Sequence, residues 1–198
     1  SVFGFYYGTL IMCEPFMLLA VQIITLQLAL FYFSDRATLS HKQIMITAAA
    51  VGFGIATKIS FFPVFFLPLL VANGWQAKLK YTLFTLITAG ILALPLYSNI
   101  SDFYSWIRNI FLFSGLYGTG EQKIIDAGFY TENLETILSE NIMFTLIIAG
   151  LGVYLLLRIN HRFRKEIPVK DHQLLMGFSV VLLLLILVLS KHYRPYYR

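Results

Sequence analysis

The chain has 198 residues, 58% of them hydrophobic and 13% charged, with a formal charge of +5. So apolar a composition excludes an ordinary soluble domain of this size, and its blocks of hydrophobicity between charged segments are the pattern of a multi-span helical membrane protein. The single cysteine, Cys13, excludes an internal disulfide framework and CxxC metal sites, and membrane topology accounts for the positive charge without nucleic acid.

Residues 1–13 are aromatic and glycine-containing, with Tyr6 and Tyr7, and read as an interfacial segment or the end of a preceding helix. Beginning at Ser1, with no initiator methionine and no signal-peptide pattern, the chain reads as a piece of a longer membrane protein. Glu14-Pro15 opens an apolar run to Phe33, long enough to span. Proline suits the first turn of a helix, and a carboxylate suits the positive end of its dipole. Residues 35–42 form a polar loop.

Two apolar runs follow, 44–57 and 59–72, on either side of Lys58, the only charge between Lys42 and Lys78. A lysine left in hydrocarbon costs roughly 3 kcal/mol or more on insertion scales. Lys58 therefore sits at an interface, snorkels to one, or faces a wet cavity. The simplest geometry is a helical hairpin bent at Lys58. Both arms are short for a full span, so the bend dips into the membrane edge or is shielded by other helices. Gly52, Gly54 and Ala56 make a small-residue stripe on which a neighbouring helix can approach closely. The plainer reading of Lys58 is an interfacial anchor.

Residues 73–80 are a short polar turn with Lys78 and Lys80, and 81–97 another span with Pro95 near its end. Residues 98–141 are the one long hydrophilic segment, holding Asp102, Trp106, Arg108, Glu121, Lys123, Asp126, Glu132, Glu135 and Glu140. Within it, the aromatic and mixed stretch 100–113 predicts a helix lying in the interface. Residues 114–120 are a glycine-rich turn, and 132–140 a short helix leading into a span at 142–157. Residues 158–170 are strongly basic, 174–189 form the last span, and a basic, aromatic tail ends the chain. The expected fold is all-α: a multi-span transmembrane helix bundle, one membrane domain over residues 1–198, with 98–141 as an extracytoplasmic loop containing short interfacial helices.

Alternate loops place nine lysines and arginines on one side (Arg36, Lys42, Lys78, Lys80, Arg158, Arg162, Arg164, Lys165, Lys170) and six on the other. The richer side is expected to be cytoplasmic. Glu14, Lys58, the 98–141 loop and the tail then share the extracytoplasmic side, with seven of the ten acidic residues. Counting the hairpin as one span instead would invert half the chain.

Four features converge on that outer side: Glu14, Lys58, the loop segment Tyr117-Gly118-Thr119-Gly120-Glu121, and the tail segment Lys191-His192-Tyr193-Arg194. Several cations meeting a carboxylate at a membrane surface suit an anionic, lipid-linked substrate. Lysine and arginine would neutralise a phosphate leaving group, arginine bidentately, and a carboxylate could take a hydroxyl proton or hold a metal or a sugar hydroxyl. The plainer readings stand beside these: Glu14 as a helix-start residue, Lys191 and Arg194 as interface anchors, His192 as merely exposed. The glycine-rich segment lacks a GK[ST] ending and a preceding strand, so it is no phosphate loop. No HExxH, GxSxG or cysteine–histidine metal spacing occurs. The 158–170 cluster reads as a topology signal, with anionic-lipid binding the weaker option.

Residues Gly54-Ile55-Ala56-Thr57-Lys58-Ile59-Ser60-Phe61-Phe62-Pro63 resemble the G-x-A-x-x-T-K hairpin of the integral-membrane GT-C glycosyltransferases, a group that includes the protein O-mannosyltransferases and the lipid A aminoarabinose transferases. Glu14-Pro15 before a long aliphatic run is similar to their acidic residue at the outer start of a middle helix, where Asp is commoner. Lys191 to Tyr197 is similar to their outer-face segment after a later helix, and Tyr117-Gly118-Thr119-Gly120 to loops of prokaryotic members. The resemblance implies an inverting transferase that uses a polyprenyl-phosphate-linked sugar at the extracytoplasmic face of a multi-pass protein, most simply in a prokaryotic plasma membrane. It implies that the principal catalytic carboxylate lies upstream of Ser1, so that the fragment is inactive alone. Lys58 and Arg194, with Lys191 or His192, would contact the donor phosphate. Tyr117 and Glu121 would complete the substrate site, and Glu14 would shape the acceptor or metal site. No metal ligand is assigned, and a divalent cation is left open. The expected partners are the lipid-linked donor and membrane lipid; the acceptor is not specified.

The competing class is a transporter or lipid flippase, which would carry charged groups near the middle of its spans and repeated halves. No internal repeat is visible, and the runs 15–33 and 174–189 hold no ionisable residue. An undecorated scaffold or polymerase-type membrane protein is the third reading, with outer charges that do not converge.

Overall fold

A computed structural model describes residues 2–36, 38–113, 122–123, 126–140, 142–159 and 168–191. Among them every regular element is helical: α1 (Val2–Tyr32), α2 (His41–Thr57), a 3-10 segment (Ile59–Phe65), α3 (Phe66–Val71), α4 (Trp75–Leu92), a second 3-10 segment (Leu94–Asn99), α5 (Ile100–Leu112), α6 (Ala127–Glu140), α7 (Ile142–Ile159) and α8 (Val169–Lys191). The all-α expectation holds for these residues. Two helices are long and apolar enough to cross a membrane, over Pro15–Tyr32 and Val169–Val188. A third candidate is the broken pair Tyr130–Glu140 and Thr145–Tyr154, bent by 99°. The multi-span expectation reduces to these two or three.

Contacts divide the chain into two units, Ser1–Pro95 with Pro168–Val181, and Leu96–Ile167 with Leu182–Arg198. In the first, α1 buries Ala20, Ile24, Gln27, Leu28 and Phe31, a stripe at helical spacing. Gln43 donates from Nε2 to the Gln27 carbonyl at 3.5 Å, and the Phe16 and Phe53 rings meet edge to face at 5.7 Å. The two contacts fix α1 and α2 as antiparallel. The start of α2 is set by a capping box: Ser40 Oγ accepts from Gln43 N at 3.2 Å, and Gln43 Oε1 accepts from Ser40 N at 2.9 Å.

The chain then doubles back along α2. At Gly54 a Cβ would run into the Phe61 ring, so the glycine admits the returning segment. At Gly52 a Cβ would lie 2.6 Å from the Thr85 carbonyl oxygen and 3.1 Å from Ala89 N, so α4 meets α2 backbone to backbone. Gly52 thus meets the close helix approach read from the small-residue stripe, while Gly54 makes room for a ring of the return instead. Tyr81 locks α4 to the return: its hydroxyl donates to the Phe65 carbonyl at 2.9 Å, and its ring stacks on Phe65 at 5.3 Å. α2 therefore runs out, 59–71 runs back, and α4 runs out again beside α2. The first half of α8 joins this unit where Leu67 packs against Gly177.

Two boundaries differ from the sequence reading. Residues 75–80 are helix, because the break is made by Gly74 at φ 84° and α4 starts directly after it; Lys78 and Lys80 ride on the helix instead of a turn. The run 81–97 is not one span: α4 ends at Leu92 and a 3-10 segment containing Pro95 follows, since proline cannot donate to the helical ladder.

In the second unit, α5 and α6 occupy the long hydrophilic segment. α5 matches the helix read at 100–113 in its extent, and α6 starts five residues before the one read at 132. Thr145 of α7 donates from Oγ1 to the Leu138 carbonyl of α6 at 2.6 Å.

Candidate functional site

The break at Lys58 is written into its neighbours. Thr57 and Ile59 are β-branched and disfavour helix, and Pro63 lacks the N–H that a continued α-helix would need. Thr57 Oγ1 donates to the Phe53 carbonyl at 2.8 Å. Lys58 leaves the helix with φ −154° and ψ 120°, while its N–H still bonds the Gly54 carbonyl at 3.0 Å. Its own carbonyl accepts from Phe61 N at 2.9 Å and starts the return. Lys58 is thus the one extended residue between two helical segments, and it is half-buried. The bend read from the sequence is present, although its second arm is a 3-10 segment and a short helix.

Glu14 and Pro15 do not open a helix. Both lie inside α1, where Pro15 cannot donate to the Ile11 carbonyl. Such a gap is tolerated inside transmembrane helices, because neighbouring groups can meet the freed carbonyl. The helix-dipole reading of Glu14 falls with that correction. The antiparallel register set by Gln27–Gln43 and Phe16–Phe53 carries Glu14 to the height of Ile55 and Ala56. That is within one turn, about 5 Å, of Lys58.

Lys191 closes α8 in the second unit. Tyr117, Glu121, His192 and Arg194 lie outside the described residues, as does the glycine-rich turn. Among the described residues no group of three or more His, Cys, Asp or Glu could hold a metal ion.

Sequence reasoning missed the opposite end of the first unit. Lys170, counted only as a topology charge, donates from Nζ to the carbonyls of Phe31, at 3.4 Å, and Tyr32, at 3.5 Å, and also to that of Ser34. The ammonium lies 5.1 Å from the centroid of the Phe31 ring. It caps the carbonyl end of α1, where the helix dipole is negative. The neighbouring Asp171 carboxylate lies close to the Tyr32 phenol. No local pattern signals this contact, because its partners are 136 to 139 residues apart. The out, back and out course puts Arg36, Lys42, Lys78 and Lys80 toward this same end. Among the described residues of the first unit, Lys58 is the cation at the other end.

Comparison with family models, with curated proteins and with solved structures returns no match.

Proposed function

We propose that the chain is part of the membrane core of an inverting, GT-C-like glycosyltransferase that takes sugar from a polyprenyl-phosphate carrier at the extracytoplasmic face. The observation that carries it is the setting of Lys58: a cation at a fixed break, level with Glu14, at the end of the unit away from Arg36, Lys42, Lys78, Lys80 and Lys170. A lysine there can neutralise the phosphate that departs when the glycosidic bond breaks. The end rich in lysine and arginine would face the cytoplasm and the Lys58 end the outside of a prokaryotic plasma membrane.

Packing supports placement in lipid. The helix contacts use Ala20, Ala48, Ala50, Gly52, Gly54 and Gly177, while Leu18, Leu26, Leu30, Leu83, Leu86 and Ile91 are exposed. Lipid supplies little drive to bury large aliphatic side chains, and close helix approach favours small ones. In this reading Glu14 shapes the acceptor side of the site.

The test is Lys58→Ala and Lys58→Arg in the full-length protein, with transfer measured from a panel of polyprenyl-phosphate sugars and insertion measured in parallel. Lys58→Ala should lower kcat/KM by about 100-fold or more with insertion intact, and Lys58→Arg should restore part of it. Unchanged transfer in Lys58→Ala overturns the role.

A further inference from the structure

Helix α5 is the most strongly two-sided of the described helices. Ile100, Phe103, Tyr104 and Ile107 recur at i, i+3, i+4 and i+7, one face of an α-helix. Ser101, Asp102, Ser105, Arg108 and Asn109 take the other, and all five are exposed. The apolar side is only partly covered by protein: Ile100 is 53% and Tyr104 67% exposed, while Phe103 and Ile107 are half-buried. At 13 residues, roughly 20 Å, the helix is too short to cross a hydrocarbon core of about 30 Å.

Three observations choose lipid as what covers this face. The same chain holds helices long and apolar enough to cross a bilayer. The segment feeding α5 is already apolar and exposed, with Ile91, Leu92 and Leu94 at 59%, 45% and 57%, so the chain enters α5 from a surface of the same character. Tyr104 belongs to the apolar face and is followed on the helix surface by Arg108 at i+4, the order of an aromatic ring at headgroup depth below a cation in water.

We infer that α5 lies in the plane of the bilayer interface, its Ile100–Phe103–Tyr104–Ile107 face in the acyl boundary and its Ser101–Ser105–Asn109 face in water. Asp102 and Arg108 cancel, so insertion is driven by apolar area and is indifferent to lipid charge. The inference rests on membrane placement of the chain and not on the transferase reading.

The experiment is site-directed spin labelling of the full-length protein with Cys13→Ser, in phosphatidylcholine vesicles and in vesicles with 30% anionic lipid. Cysteines are placed singly at residues 101, 104, 105, 107 and 109, and at 183 in α8 as a control for the spanning region. Labels at 104 and 107 should be relaxed by oxygen, those at 101, 105 and 109 by a water-soluble nickel chelate, with the same pattern in both vesicles. Nickel access at all five positions, or protection at 104 and 107 from both reagents, overturns the inference; the second outcome would mean that protein covers the face. A pattern present only with anionic lipid overturns the charge-independent part. If position 183 is itself reached by the chelate, membrane placement fails with it; if 183 reports deep lipid while α5 does not, the inference fails alone.

Discussion

The two ends of the first unit each carry a lysine at the edge of a helix, and the fold uses them differently. Lys170 is matched to backbone: it satisfies the carbonyl end of α1 and lies near the Phe31 ring. Lys58 sits where the helix is interrupted and its own backbone is extended, with Gly54 and Phe61 holding the reversal. The first lysine joins residues more than 130 positions apart and so serves stability. The second occupies a break that a continuous α2 would not need, a place where a fold gives up local regularity. Such places are commoner at sites than in scaffolding.

The contrast can be broken by separating the two roles. The largest expected effect is on chemistry: Lys58→Ala should remove about 100-fold or more of sugar transfer per folded molecule, with the protein still folded in detergent. A large loss of stability at Lys58 would make it a structural lysine like Lys170. Next is Gly52→Val, which forces a side chain against the Thr85 carbonyl. It should cost about 3 kcal/mol, at the upper end for overpacking, because a backbone is what must move. Its readout is the unfolding midpoint, and a wild-type midpoint would show that α2 and α4 are not in close contact.

Smaller is Lys170→Met, which keeps the stem and removes the ammonium. About 1–2 kcal/mol of stability should be lost, with transfer per folded molecule unchanged. The smallest is Ser40→Ala, which removes the cap of α2 and should cost about 1 kcal/mol, visible as faster hydrogen exchange confined to the first turn. Lys170→Met that abolished transfer in well-folded protein would erase the distinction between the ends.

The sequence reading succeeded where the signal is local. The bend at Lys58 follows from a lone charge between apolar runs, the close approach of α4 from Gly52, and α5 from its mixture of aromatic and polar residues. It failed where a competing local rule or a distant partner decides. Glu14-Pro15 looks like a helix start because proline is welcome in a first turn, yet α1 runs through it from Val2. Residues 75–80 look polar enough for a turn, but one residue, Gly74, suffices for the break. The pattern Ser40-x-x-Gln43 is a visible helix start that a charge-based reading of the 35–42 loop passes over. Lys170 could not be read from sequence, because what it caps lies at the far end of the chain's path. Of the candidate site, the backbone break at Lys58 was legible, while Tyr117, Glu121, His192 and Arg194 lie outside the described residues.

The central proposal is that Lys58 and the start of α4 face opposite sides of the membrane, with Lys58 outside, α2 crossing beside the α1 span it packs against although it is shorter than the candidate spans. Its most direct measurement is cysteine labelling in intact cells, with Lys58→Cys and Gln76→Cys each in a Cys13→Ser background and a membrane-impermeant maleimide. The expected result is labelling at position 58 from outside, and at position 76 only after the membrane is opened. Labelling of both positions from the same side, or of 76 alone from outside, would contradict it.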